Sequence, residues 1–253
     1  MKPRRRASAL FLIVAVLAAV PGAKFIPMDD VEEPFTPAEY AAAIQSTVSG
    51  CTVSAVLGPA ETPLPLEASN FLLDHPDMSA FIVNRRKIAP YRIEMLGPRR
   101  SSADDGEGTR GVVNLIEASG HHRLYYGEGV HHSRLFGDIR ATAVIGMDLS
   151  EGAGPDSRTR TVTTFHVWVR IKNRFVSRLV KTLRPFLRGT VGGKFSKAFF
   201  VADSVGRMMA RDPDAIAADV RDFPGLFAED RAAFLEMIAR LRRAADGSTA
   251  PRR

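Results

Sequence analysis

Cysteine is almost absent, because Cys51 is the only one in a chain of 253 residues. A single thiol excludes an intramolecular disulfide, and it also excludes zinc and iron–sulfur sites that need several cysteines. The 20 glycines and 16 prolines are too few for a collagen-like chain. Hydrophobic residues make up 45% of the chain and charged residues 25%, which excludes wholesale disorder and indicates a globular protein.

Net charge is weak outside the first few residues. The formal charge is +7, and four of the positive charges come from Lys2, Arg4, Arg5 and Arg6. The remaining excess of about +3 is too small to indicate binding to nucleic acid. We therefore expect no nucleic-acid partner.

A recognisable catalytic motif is also missing. The sequence has no Gly-x-Ser-x-Gly nucleophile elbow, and no base is readable beside Cys51. Whether the chain is an enzyme stays open, and a non-enzymatic role is favoured. We expect no catalytic residue and no cofactor.

Four of the six histidines form two adjacent pairs, His121-His122 and His131-His132. Neighbouring residues on a strand face opposite sides of the sheet, so neither pair readily presents both rings to one metal ion. One ring from each pair can still meet across a hairpin, but no ligand at a recognisable metal-site spacing accompanies them. We therefore expect turn and surface histidines, and no metal site.

The N-terminus carries a targeting pattern. A basic segment from Met1 to Arg6 precedes an unbroken apolar run from Ala9 to Val20, and Pro21-Gly22-Ala23 follows. This order is typical of a secretory signal peptide, and the run is shorter than the roughly 20 residues of a comfortable transmembrane helix. Residues 1–23 are a signal peptide on this interpretation, or a membrane anchor if cleavage fails. Both alternatives predict export, to the periplasm or to the outer face of the inner membrane.

Helical patterns follow in the first third of the chain. Thr36-Pro37 predicts a helix start with proline at the first position, and Gly50 closes that helix. A second helical stretch is predicted over 66–87, with a break near His75-Pro76. The region from Gly50 to Leu57 is a candidate for an early strand.

From about Pro90 the apolar period becomes that of strands. The polar links between the strands, among them Ser101–Gly108, read as turns, which predicts an antiparallel sheet. The five predicted strands are Tyr91–Leu96, Gly111–Ala118, Arg123–His131, Ile139–Leu149 and Arg160–Ile171.

Alternation within the predicted strands indicates one dry face. Ala143, Ile145 and Met147 point one way in the fourth predicted strand, and their polar neighbours point the other way. Glycines such as Gly127 and Gly129 allow the sheet to bend. A bent antiparallel sheet can wrap around a long apolar element.

The segment after the strands is amphipathic at helical spacing. Residues 174–211 carry an apolar stripe, and Pro185 together with several glycines predicts a flexible joint in the middle of one long helix. Two shorter helices are predicted over 214–222 and 227–243. The charged side of the long helix, expected to face a membrane, consists of Arg178, Lys181, Arg184 and Arg188.

This order of elements resembles the helix-grip fold of the START and polyketide-cyclase superfamily, whose best-known members resemble the birch pollen allergen. The resemblance is carried by the helix Phe71–Pro76, the turn Asp104–Gly108, the strand Arg123–Gly129 and the final long helix. It implies an α+β fold in which a curved antiparallel sheet wraps a long C-terminal helix, with extra flanking helices here. It also implies a lipid, sterol, polyketide or other hydrophobic ligand between sheet and helix.

The chain divides into five parts on this interpretation. They are a signal peptide or anchor over 1–23, a helical and extended lead-in over 24–65, the helix-grip-like ligand-binding domain over 66–211, C-terminal helices over 212–245 and a disordered tail over 246–253.

The expected site is the space between the sheet and the long helix. Three polar residues on predicted strands, Tyr125, Glu128 and His166, are candidates to face that space. The expected apolar lining is Val113, Leu115, Ala143, Ile145, Met147, Phe165, Val167, Leu183, Phe186, Phe195 and Phe199.

The sequence thus predicts an exported protein that binds a hydrophobic small molecule, with a lipid favoured, and carries or presents it near a membrane. An anionic membrane surface is a second expected partner, and protein partners stay unknown. One alternative is a cyclase or isomerase that uses the same cavity. The other is a membrane-anchored interaction module without a ligand.

Overall fold

The computed structural model describes residues 36–133, 137–154, 159–174, 176–178 and 204–247. In these residues it has an α+β architecture with a curved, seven-stranded antiparallel sheet, as the sequence predicts. The elements are α1 Pro37–Ser49, β1 Val53–Thr62, α2 Leu66–Asp74, α3 Pro76–Arg85, β2 Arg92–Gly97, β3 Arg100–Asp104, β4 Thr109–Ala118, β5 His122–Ser133, β6 Gly137–Ala153, β7 Thr159–Ile171, α4 Pro213–Arg221 and α5 Ala228–Gly247.

The sheet has the strand order β1-β7-β6-β5-β4-β3-β2, so the first two strands lie at opposite edges. Helices α2 and α3 connect those two edges, and all five strands predicted from the sequence are present within a few residues of the expected ends. This topology agrees with the helix-grip architecture that the sequence resembles. Residues 174, 176–178 and 204–211 are helical, whereas most of the predicted long helix lies outside the described residues.

Two strands differ from the expectation. The sequence indicates a polar turn over Ser101–Gly108, but the structure places β3 across the first four of those residues, paired with β2 and with β4. Its Ser-Ser-Ala-Asp sequence has little strand propensity of its own, and pairing on both sides outweighs that weakness. The early strand β1 is present, and it continues beyond Leu57 to Thr62 after a register shift.

The first two helical predictions are confirmed, and local chemistry explains their ends. At the start of α1 the Thr36 hydroxyl accepts a hydrogen bond from the Glu39 N–H, and the Glu39 carboxylate accepts one from the Thr36 N–H. This reciprocal capping satisfies two N–H groups that a helix start otherwise leaves unpaired. The break between α2 and α3 falls at His75, because Pro76 begins the next helix at its first position.

Part of the second face of the sheet is also covered, which corrects the expectation of a single dry face. Helix α1 packs on β6 and β7 from the side that carries Thr142 and Val144, and both of these residues are buried. The hydroxyl oxygens of Thr47 and Thr142 lie 2.9 Å apart beneath this helix. We call this side the outer face and the opposite side, which carries Ala143 and Ile145, the inner face.

The C-terminal helices pack against α2 and α3. The rings of Phe71 and Phe234 are 5.2 Å apart between their centroids, and those of Phe81 and Phe223 are 5.0 Å apart. The guanidinium of Arg86 donates to the buried carboxylate of Asp219 at 2.6 Å. Aromatic packing and a charged hydrogen bond therefore join the C-terminal extension to the two short helices.

Membrane-spanning helices are not found among the described residues, none of which belongs to a helix with the necessary length and hydropathy. The predicted signal peptide or anchor, residues 1–23, lies outside them.

Gly111→Ala should destabilise the protein, because a Cβ on Gly111 would collide with the carbonyl oxygen of Glu128 on the neighbouring strand. Relief of that collision requires backbone movement, so we expect a loss of about 1–3 kcal/mol in the free energy of unfolding. Gly97→Ala is the matched control, since nothing lies within 4 Å of a Cβ there. Its effect should stay within about 0.5 kcal/mol in urea denaturation. Equal losses for the two variants would contradict the close strand approach.

Candidate functional site

The inner face of the sheet is the candidate site. Strand pairing aligns Val167, Ile145 and Tyr125 in one row across β7, β6 and β5, and these side chains are all buried. The structure places the seven described members of the predicted lining on this face, with Leu115 half-buried and the others buried. They are Val113, Leu115, Ala143, Ile145, Met147, Phe165 and Val167.

A run of very small residues crosses the middle of the inner face. Gly111 pairs with Ala103 on one side and with Gly129 on the other, and Gly129 pairs in turn with Ala141. Strands are spaced about 4.8 Å apart, so this row spans roughly 14 Å without a side chain larger than methyl. In the neighbouring row along the strands, Gly127 pairs with Ala143. We call these residues the small-residue trough: Ala103, Gly111, Gly127, Gly129, Ala141 and Ala143.

The remaining predicted lining residues, Leu183, Phe186, Phe195 and Phe199, lie outside the described residues. The same holds for three of the four residues expected to face a membrane, namely Lys181, Arg184 and Arg188. Arg178 is described, and it is exposed.

The two described ends of the predicted long helix lie at opposite ends of β1. Val176 is buried, and the hydroxyl of the next residue, Ser177, lies 2.9 Å from that of Thr52 just before β1. At the other end, residues 204–211 include the buried Val205 and Met209. Gly206 in that segment approaches Thr62, the last residue of β1. Ser177 and Gly206 therefore lie at opposite ends of β1.

The three polar candidates divide between the two faces. Tyr125 is buried on the inner face, and burial raises the pKa of its phenol to about 12. Glu128 and His166 alternate with inner-face residues and lie on the outer face. There Glu128 contacts Lys172 at 3.3 Å, and His166 contacts Asp148 at 3.2 Å. Only Tyr125 of the three therefore adjoins the inner space.

One end of the inner face carries a buried arginine. The Arg123 guanidinium donates to the Asp74 carboxylate at 2.5 Å and to the side-chain oxygen of Asn70 at 3.0 Å, and both partners belong to α2. Arg123 is next to Tyr125 on the inner side of β5. These bonds compensate the burial of a charge and fix α2 against the sheet.

The opposite end carries a second buried polar group, which the sequence analysis missed. His131 and Thr109 face each other on β5 and β4, with 3.1 Å between Nδ1 and Oγ1. The Asp105 carboxylate accepts hydrogen bonds from the N–H groups of Thr109 and Glu107. Burial and the nearby carboxyls of Asp105 and Glu107 raise the pKa of Tyr91. We call this group the polar end: Tyr91, Asp105, Thr109 and His131.

His131 corrects the expectation that the histidines lie in turns and on the surface, since it is only 1% exposed. The signal was available in the sequence, because one member of an adjacent pair on a strand must face the interior. Its neighbour His132 is exposed and contacts Asp138 at 2.8 Å. No group of three or more metal-ligating side chains occurs within the described part of the chain.

Asp105→Asn should make stability less sensitive to pH. Burial outweighs the hydrogen bonds to the carboxyl and raises the pKa of Asp105, so the folded protein holds this proton to a higher pH than the unfolded chain does. The resulting stabilisation is complete below the unfolded pKa of about 3.9 and is lost as the pH rises through the folded value. The variant should therefore gain unfolding free energy relative to the parent as the pH rises above about 4. Urea titrations at several pH values measure this difference, and a constant difference would contradict the assignment.

Comparisons with known proteins give similarity of structure only. No protein-family model matches the chain, and no curated protein matches it. A conserved protein from Geobacillus kaustophilus is similar over 60% of this chain and 95% of its own, at 15% identity and a TM-score of 0.36. A START superfamily protein from Mycobacterium smegmatis is similar over 57% and 93%, at 14% identity and a TM-score of 0.34. For Ara h 8.0201 the shares are 61% and 99%, the identity 10% and the TM-score 0.36.

Proposed function

We propose that this chain is an exported protein that binds a hydrophobic ligand, specifically a lipid, between the inner face of the sheet and the segment over 174–211. Its role is to carry or present that ligand near a membrane. The observation that carries the proposal is the small-residue trough. It lies on the buried side of the sheet, where a protein without a guest normally places large apolar side chains.

Close packing requires that something fill the small-residue trough. Protein interiors reach the density of organic crystals, and an unfilled apolar hollow forfeits dispersion contacts along its walls. Large residues such as Phe165 and Met147 occupy the adjoining rows, whereas the trough supplies methyl groups and backbone only. An apolar chain seated in the trough would restore those contacts, and such apolar concave surfaces are typical of small-molecule sites.

The length of the predicted long helix can be compared with the length of β1. A strand rises about 3.3 Å per residue, so β1 is roughly 33 Å long from Thr52 to Thr62. A helix rises 1.5 Å per residue, and the helix predicted from sequence would span roughly 39 Å between residues 178 and 204. The helix is about 6 Å longer than the strand. The predicted helix is therefore long enough to cover the inner face from one fixed end to the other.

Two features support delivery of the ligand near a membrane: the cationic side of the predicted long helix and the targeting pattern at the N-terminus. The exposed Arg178 begins the cationic side predicted for the long helix, which continues with Lys181, Arg184 and Arg188. Each cation near an anionic lipid surface contributes on the order of 1 kcal/mol to association. Export by residues 1–23 would bring this side to the outer leaflet of the inner membrane, either as a free periplasmic protein or as an anchored one.

The two alternatives receive less support. An enzyme using Tyr125, Glu128 or His166 would need its acid or base beside the cavity, and Glu128 and His166 lie on the outer face, which leaves Tyr125 alone. An interaction module would need a broad apolar surface patch. Among the described residues, the exposed large apolar side chains are Val56, Leu96 and Phe227, and the first two lie on opposite edge strands.

Ala143→Leu should reduce lipid binding without destabilising the protein after lipid removal. The added methyl groups enter the trough beside Gly127 and take up space that the proposal gives to the ligand. Bound lipid is measured by native mass spectrometry and by extraction of the purified exported chain. Stability is measured by urea denaturation of the delipidated protein.

Ala118→Leu is the matched control, because it makes the same chemical change at an exposed strand end. It should leave both lipid content and stability unchanged. In a filled core, Ala143→Leu would instead cost about 1–3 kcal/mol through overpacking. That loss, combined with the absence of extractable lipid from the parent protein, would overturn the proposal.

A further inference from the structure

The polar end places buried polar groups at one end of the otherwise apolar inner face. Strand pairing places Thr109 and His131 one inner-face row beyond Gly111 and Gly129. Successive residues on one face of a strand are about 7 Å apart, so the polar end begins about that distance from the small-residue trough. The trough runs across the strands, and Ala103 at one end of it precedes Asp105 by two residues. A guest lying along the trough therefore has one end about 7 Å from the polar end.

Within the polar end, the Asp105 carboxylate is only half satisfied. Its Oδ1 accepts hydrogen bonds from the N–H groups of Glu107 at 2.7 Å and of Thr109 at 2.9 Å. Its Oδ2 is buried and has no hydrogen-bond partner in the described part of the chain, although Asp105 is only 3% exposed. Buried polar atoms in native proteins almost always have a partner, so an atom with none in the protein calls for a donor from a bound water or a ligand.

The chemistry around Oδ2 limits what the missing partner can be. A carboxylate oxygen is an acceptor, so its partner must donate. Burial raises the pKa of the Tyr91 phenol, and the carboxyls of Asp105 and Glu107 raise it further, so two acidic groups lie near the site. A ligand with its own carboxylate would meet this negative charge, whereas a neutral hydroxyl would meet an acceptor.

We propose that Oδ2 of Asp105 accepts a hydrogen bond from the terminal hydroxyl of a long-chain ligand whose apolar body lies in the small-residue trough. The ligand class is thus a neutral, hydroxyl-bearing lipid such as a long-chain alcohol, and fatty acids of the same length are discriminated against. This inference rests on the proposed function, since it names the polar group of the ligand that the trough holds.

The experiment compares 1-dodecanol with dodecanoate on the delipidated full chain at pH 8, where the acid is ionised. Each compound competes with Nile red, an uncharged dye whose fluorescence reports apolar sites. A charged hydrogen bond gained by the alcohol and charge repulsion suffered by the acid should together favour dodecanol by about tenfold or more in dissociation constant.

Asp105→Asn tests the assignment to this residue. The amide can keep the hydrogen bonds to Glu107 and Thr109 through its oxygen, but it puts a donor in place of Oδ2 and removes the charge. The ratio of the two dissociation constants should fall to within about threefold of unity, chiefly because dodecanoate binds more tightly. Glu94→Gln is the matched control, because it removes one negative charge from an exposed position on β2 and should leave the ratio unchanged.

The outcomes separate the two proposals. If neither compound displaces the dye, the protein does not bind such lipids, and both the proposed function and this inference are wrong. If both bind but dodecanoate binds as tightly as dodecanol, or if Asp105→Asn leaves the ratio unchanged, only the assignment of Asp105 is overturned. An equal response of Glu94→Gln and Asp105→Asn would attribute the preference to net charge and would also overturn it.

Discussion

The alignment of side chains across the antiparallel strands is the constraint on which the rest of the structure depends. Residues two apart share a face, and pairing places them in rows that run across the sheet. With this register, Ala103, Gly111, Gly129 and Ala141 meet in one row on four neighbouring strands. A shift of one residue in any of these strands would replace the small residue by a larger neighbour and move its apolar residues to the other face.

The two faces of the sheet differ in the kind of groups that cover them. On the outer face, α1 contacts the sheet through polar groups as well as apolar ones: the Tyr40 hydroxyl donates to Asn114 at 2.8 Å, and two threonine hydroxyls meet below it. The inner face is almost wholly apolar between Arg123 at one end and the polar end at the other. Helix α1 thus covers part of the first face, whereas the second is apolar between two buried polar ends.

Much of the fold could be predicted from the sequence, because several elements carry strong local signals. Thr36-Pro37 marks a helix start by capping chemistry, Pro76 forces a break, and the alternation in β6 distinguishes its two faces. The short strand β3 carries no such signal, since its pairing with β2 and β4 is a property of the assembled sheet. The packing of α1 on the outer face could not be predicted for the same reason, because Val144 looks like an ordinary strand residue until α1 packs on it.

The candidate site was predictable in its apolar part and not in its polar part. Apolar alternation identifies Ile145 and Val167 as inner residues from sequence alone, whereas Asp105 looks like a solvated turn residue beside Gly106. In the fold, Pro90 approaches the neighbouring Gly106 and Tyr91 lies near Asp105, which the local sequence does not predict. Glu128 and His166 were correctly placed on strands, but a choice between faces requires a register that sequence does not supply.

The packing of the C-terminal extension against α2 and α3 limits how far these two helices can move. Phe234 and Phe223 hold α2 and α3 from outside, and Arg86 adds a charged tie to Asp219. Outward movement of either short helix would break this aromatic packing and expose the carboxylate of Asp219, which pairs with Arg86. That side of the molecule therefore resists outward movement of α2 and α3.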